Sequence, residues 1–146
     1  MKKETTIIDN PDLPVLIVDD SKQYADVLRR MLQGALGYKD ITIVERTGDA
    51  LTLIENDPDR FKMVFVDYNF PDGNTGGDLL VKLKELNLLE GKVAFLITSE
   101  PTEENMKQAK MAGALGVVAK PFNSQELRVK VDHARRSLYA DSIEYF

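Results

Sequence analysis

An α/β fold is predicted for this 146-residue chain, with a doubly wound parallel sheet of five strands in a three-layer α/β/α arrangement. Three observations predict it. Short apolar runs dense in β-branched residues occur five times, and each is followed by a longer segment of helical periodicity. Every run ends at its carboxyl side in polar or charged residues. Repeated strand–helix alternation implies right-handed crossovers and helices on both faces of the sheet.

The elements follow in order. Val15-Leu16-Ile17-Val18 reads as a fully buried first strand with a polar Asp19-Asp20-Ser21 edge. From Ser21 onward Tyr24, Val27, Leu28, Met31, Leu32 and Ala35 recur at helical spacing and are the expected inner face of the first helix. Gly34 and Gly37 mark its end. Ile41-Thr42-Ile43-Val44 is the second strand, and 49–56 a short helix closed before Pro58. Met63-Val64-Phe65-Val66 is the third strand, ending at Asp67. A polar loop over 68–76 leads into a helix carrying Leu79, Leu80, Leu83 and Leu86. Residues 93–97 form the fourth strand, ending at Thr98-Ser99, and 102–112 a weaker helix with Met106 and Ala109 inward. Gly116-Val117-Val118-Ala119 is the fifth strand, ending at Lys120-Pro121. Asn123, with Glu126 three residues later, resembles a capping box and starts the last helix, whose inner residues are Leu127, Val131, Ala134 and Leu138.

Composition narrows the function classes. Hydrophobic residues at 43% and charged residues at 29% are those of a globular domain, which excludes disorder across the whole length. The absence of Cys excludes disulfides, thiolate metal sites and a cysteine nucleophile. A formal net charge of −5, with no Lys/Arg run, argues against binding nucleic acid through its phosphates. The two lysines near the start have no apolar segment behind them, so no signal peptide is expected. No stretch approaches the ~18 apolar residues of a membrane span. The expectation is a soluble, cytoplasmic, one-domain protein.

In doubly wound sheets ligands bind beyond the carboxyl ends of the strands, at the switch in strand order. The strand-ending residues are Asp19 and Asp20, Asp67, Thr98 and Lys120. Two carboxylates about 4 Å apart repel by roughly 4 kcal/mol at an effective dielectric near 20, so three in one pocket need protons, a lysine or a metal. Oxygen-only ligands select a hard divalent ion, for which Mg²⁺ is the usual choice. Lys120 adds a positive charge suited to a phosphoryl oxygen, and Thr98 a hydroxyl donor. Nucleophile, charge neutralisation and positioning together are what phosphoryl transfer to a carboxylate requires.

Val18-Asp19-Asp20 after the first strand, Asp67 closing the third, Pro71 four residues beyond it, Thr98, and Lys120-Pro121-Phe122 occur in this order. On these motifs the chain resembles the receiver domains of two-component response regulators, of the stand-alone chemotaxis type, over residues 13–138. The resemblance implies a flavodoxin-like fold, an N-terminal extension 1–12 and a C-terminal tail 139–146. It implies that Asp67 is phosphorylated by a phosphohistidine of a sensor histidine kinase or phosphotransfer protein. Mg²⁺ would be bound by Asp20, Asp67 and the backbone carbonyl of Asn69, with Asp19 acting largely through metal-bound water. Lys120 would pair with Asp67 and then with its phosphoryl group, Thr98 would turn toward that group, and the Lys120–Pro121 bond would be cis. Asn69 and Glu100, two residues beyond Asp67 and Thr98, would tune hydrolysis, giving a phosphoryl lifetime of seconds to minutes. Output would be binding of a downstream target through the face of the fourth helix, fifth strand and last helix, and the partners it allows include a second copy of the chain.

Two departures from the family pattern bear on this. Val117 stands three residues before Lys120, where the family usually has an aromatic switch, and Thr75 stands where a loop glycine is common, with Gly76 next. The competing readings are a degenerate receiver serving as a constitutive interaction module and a haloacid-dehalogenase-like phosphatase. The second would need an acid two residues after its nucleophile, where Asp19 and Asp20 are followed by Ser21 and Lys22. His133, the sole histidine, and Arg128, Lys130, Arg135 and Arg136 read as the wet face of the last helix. The tail, apolar at Ile143, Tyr145 and Phe146, reads as an extension of that helix or a loose surface segment.

Overall fold

The computed structural model describes residues 11–143, with side chains through 138. Five parallel strands form one sheet: β1 (Val15–Val18), β2 (Ile41–Val44), β3 (Met63–Asp67), β4 (Val93–Thr98) and β5 (Gly116–Ala119), in the order β2-β1-β3-β4-β5. The helices are α1 (Lys22–Arg30), continued by a π turn at Met31–Ala35, then α2 (Thr47–Asn56), α3 (Gly76–Glu85), α4 (Glu103–Ala112) and α5 (Ser124–Ile143). The expected extension 1–12 lies outside the described residues except for 11 and 12, as do residues 144–146 of the tail.

The period of two along each strand divides the core into two layers. Leu16, Val18, Val64, Val66, Leu96 and Val117 face Ala50 and Ile54 of α2, Leu79, Leu80 and Leu83 of α3, and Ala109 and Ala112 of α4. Val15, Ile17, Met63, Phe65, Phe95, Ile97 and Val118 face Ala25, Leu28 and Leu32 of the α1 segment and Leu127, Val131 and Ala134 of α5. Phe65 and Phe95, register partners on β3 and β4, stack with ring centroids 5.2 Å apart. Each fully buried aliphatic or aromatic side chain of this kind contributes about 1.5–3 kcal/mol, which makes β3 and β4 the stable centre of the sheet.

Four sequence expectations need correction. On α1, Tyr24, Val27 and Ala35 are exposed, and the sheet-facing row is Ala25, Leu28, Leu32 and Leu36. The π turn carries one extra residue per turn, which delays the row so that Leu36 replaces Ala35. On α4, Met106 is exposed and Asn105 turns inward, its side-chain amide donating to the Glu100 carbonyl at 2.8 Å. Leu86 is exposed because α3 has already ended there and the chain turns away through Asn87 at φ 59°. Helix α2 starts at Thr47 rather than 49, which buries Thr47.

Candidate functional site

The site is assembled where β1, β3, β4 and β5 end. Asp19, one residue beyond β1, is 1% exposed, and Asp20 beside it is open to solvent. The chain turns into α1 at once: Asp19 Oδ1 accepts the Ser21 N–H at 2.9 Å, and Ser21 Oγ caps the helix by accepting the Tyr24 N–H. That cap fixes the buried carboxylate in place. Asp67 is the last residue of β3, paired in register with Ile97 of β4, and is also buried. Between the Asp19 strand and β4, it occupies the middle of the carboxyl edge.

Lys120 follows β5, and its ammonium reaches across to both acids. Nζ lies 3.2 Å from Asp19 Oδ2 and 3.1 Å from Asp67 Oδ1, with the lysine side chain only 10% exposed. The approach to Asp19 Oδ2 is a charge contact without hydrogen-bond alignment, so that buried oxygen has no hydrogen bond. One carboxylate oxygen from each of Asp19, Asp20 and Asp67 lies within 4.8 Å of the others. At that separation the buried Asp19 and Asp67 repel by about 3 kcal/mol at an effective dielectric near 20. Accordingly the Asp67 carboxyl is pushed above the usual carboxylate range, first by burial and next by the charge of Asp19, while the charge and hydrogen bond of Lys120 oppose the shift. An all-oxygen acid cluster with a net negative charge and an unsatisfied buried oxygen can hold a hard divalent cation.

Thr98 closes β4 and is buried; its Oγ1 accepts the Glu100 N–H at 3.0 Å. Glu100 and Asn69 are both exposed at the rim, and Asn69 pairs with Thr75 in an isolated antiparallel bridge that closes the loop after β3. Within that loop the Asp72 carboxylate accepts the Asn74 N–H at 3.0 Å, and Gly73 sits at φ +90°. Thr75 and Asp78 then form a reciprocal capping box at the start of α3. The Lys120–Pro121 bond is cis. Val117 points away from the site into the aliphatic layer against α4.

Two residues shape the site in ways that local sequence does not encode. A Cβ on Gly76 would lie 2.2 Å from the Asp67 carbonyl oxygen and 2.9 Å from side-chain atoms of Leu96 and Val66, so only glycine fits where α3 begins against β3. Gly76 N–H also donates to the Tyr68 carbonyl at 2.8 Å. The helical spacing predicts Tyr24 in the core, yet its ring faces Lys120, with Nζ 4.1 Å from the ring centroid, and meets Phe122 edge-on. The available signal was an aromatic residue in the first turn of the helix that follows the acid pair, one position off the inner row.

Residues 15–132 match the family described as the response regulator receiver domain. The chemotaxis protein CheY-3 of Vibrio cholerae is 29% identical over 123 residues, covering 84% of this chain and 92% of that protein. The chemotaxis protein CheY of Pseudomonas aeruginosa is 28% identical over 120 residues, covering 82% and 94%. Among solved structures, the chemotaxis protein CheY4 of Vibrio cholerae superposes with a TM-score of 0.74 at 26% identity, covering 84% of this chain and 98% of that one.

Proposed function

The chain belongs to the response regulator receiver domain family, and from that premise we propose that it is a phospho-acceptor switch of a two-component phosphorelay. Asp67 takes a phosphoryl group from the phosphohistidine of a histidine kinase or phosphotransfer protein, and the modified domain signals by binding a downstream protein. The observation that carries this reading is the buried Asp67 carboxylate, held 3.1 Å from Lys120 beside two further acids.

An oxygen of Asp67 attacks phosphorus as the phosphorus–nitrogen bond to the donor imidazole breaks, the electron pair staying on the ring nitrogen. Attack requires the ionised carboxylate. Burial and Asp19 oppose ionisation and Lys120 favours it, so the lysine keeps the nucleophile usable. Its ammonium then faces the charge on the incoming phosphoryl oxygens without rearrangement of the chain. Thr98 Oγ1 is occupied as an acceptor by the Glu100 N–H, which leaves its hydroxyl proton for a phosphoryl oxygen.

The donor set fits Mg²⁺: oxygens only, three acids within reach of one another, and Asp19 Oδ2 lacking a hydrogen bond. Asp20, Asp67 and the Asn69 carbonyl would hold the ion, with Asp19 in its surroundings. When bound, Mg²⁺ supplies charge neutralisation to the acids and to phosphoryl oxygens. Asn69 and Glu100 are exposed at the rim and would order a hydrolytic water. Target binding uses the face of α4, β5 and α5, read without an aromatic swing at position 117, where the valine is buried.

Intact mass after incubation with acetyl phosphate and Mg²⁺ tests the reading. The wild-type chain gains one phosphoryl group and Asp67→Asn gains none. A wild type that gains none would leave a constitutive interaction module as the better account.

A further inference from the structure

The ammonium of Lys120 has two carboxylate neighbours and a third neighbour that is neither acid nor water. The ring of Tyr24 lies over it, 4.1 Å from centroid to Nζ. The ring is braced on both ends. Ser21 caps α1 by accepting the Tyr24 N–H, which fixes the point at which the side chain leaves the helix. Phe122, two residues past Lys120, meets the ring edge-on with centroids 6.0 Å apart and planes at 84°.

Core packing does not explain this placement. Tyr24 is 38% exposed and stands beside, not on, the inner row of Ala25, Leu28 and Leu32. A lysine ammonium is strongly hydrated and sits on a flexible four-carbon stem, so at a sheet edge it tends to turn toward water. Here the side chain is 10% exposed, and the aromatic face covers the side on which it would leave. An aromatic face attracts the cation through its quadrupole but accepts no strong hydrogen bond, so the N–H groups stay available to oxygens.

We propose that Tyr24 is a positioning residue that holds the Lys120 ammonium against Asp19 and Asp67, with Phe122 as its brace. The inference rests on the reading of Asp67 as the phospho-acceptor and adds to it the group that keeps the lysine in place. Without the ring, Lys120 samples solvent and fewer molecules present it to an incoming phosphoryl group. A partly desolvated cation–π contact corresponds to roughly a 3- to 10-fold loss of that placed population.

Two measurements on wild type, Tyr24→Leu and Tyr24→Phe test it, with circular dichroism confirming that each variant is folded. By NMR, the Lys120 ε-methylene protons of the wild type are shifted upfield by the ring current of Tyr24; Tyr24→Leu loses the shift and Tyr24→Phe keeps it. By intact mass with acetyl phosphate and Mg²⁺, Tyr24→Leu is phosphorylated about 3- to 10-fold more slowly, and Tyr24→Phe restores the rate. A folded Tyr24→Leu that reacts at the wild-type rate overturns the proposal, as does a wild type with no ring-current shift. A wild type that shows the shift but takes no phosphoryl group overturns the phospho-acceptor reading instead, while loss of the shift in Tyr24→Leu still upholds the contact itself.

Discussion

Replacing Gly76 by Ala tests how the loop after β3 is held to the site. The new Cβ would lie 2.2 Å from the Asp67 carbonyl oxygen, where ordinary contact begins near 3.4 Å. The obstacle is backbone, and two further clashes at 2.9 Å come from buried Leu96 and Val66, so nothing flexible can yield. Either α3 lifts by about 1 Å or the end of β3 moves, at a cost of about 3 kcal/mol by analogy with overpacked cores. For a chain of this size that lowers Tm by about 6–12 °C. Gly77 is the internal control: a Cβ there meets Thr75 and Tyr68 atoms at 3.6 Å, ordinary contact, and gains helix propensity. Gly77→Ala therefore stays within about 1 kcal/mol of wild type or slightly above it. Thermal unfolding of both variants, followed by phosphorylation with acetyl phosphate, reads the result. Equal melting temperatures for the two would refute the claim that Gly76 is fixed by its approach to Asp67.

Further outcomes follow from the charges. Because the folded-state pKa of Asp67 is raised, the folded protein holds a proton there that the unfolded chain releases near 3.8, and stability falls as pH rises from that value through the folded one. Asp67→Asn removes this loss: it melts above wild type at neutral pH, and the advantage shrinks as pH approaches 3.8 in parallel unfolding scans. Mg²⁺ relieves the same repulsion, so it raises the wild-type Tm; at a hundredfold excess over Kd the gain is about 2.7 kcal/mol. The gain is smaller in Asp20→Asn, as differential scanning calorimetry would record. The phosphoryl group on Asp67 decays in seconds to minutes after donor removal, timed by intact mass, and persistence for a day or more would remove Asn69 and Glu100 from hydrolysis.

The sheet was legible because apolar runs such as Val15–Val18 and 63–66 are too short for a buried helix and end in polar residues, which fits strands covered on both faces. The acids, Thr98 and Lys120 were legible as well, since doubly wound sheets bring the strand ends together whatever the side chains. Helix faces were harder. Met106 is more apolar than Asn105, but a hydrogen bond to the Glu100 carbonyl turns the amide inward, and hydrophobicity alone carries no sign of it. The π turn at Met31–Ala35 shifts the inner row by one residue, which a fixed 3.6 period cannot represent. Tyr24 and Gly76 act through through-space contacts to Lys120 and to the Asp67 carbonyl, neither of which local spacing encodes.

The charge cluster draws its members from the ends of the first, third and fifth strands, and among the described residues the cation facing both buried acids, Lys120, follows the last of these. Pairing of β5 with β4 is what sets the Lys120 ammonium against Asp19 and Asp67. A molecule whose β5 is displaced from β4 therefore keeps both buried acids and loses the cation that faces them. On the proposed reading, the pairing of β4 with β5 is what keeps a counter-charge beside the acceptor carboxylate.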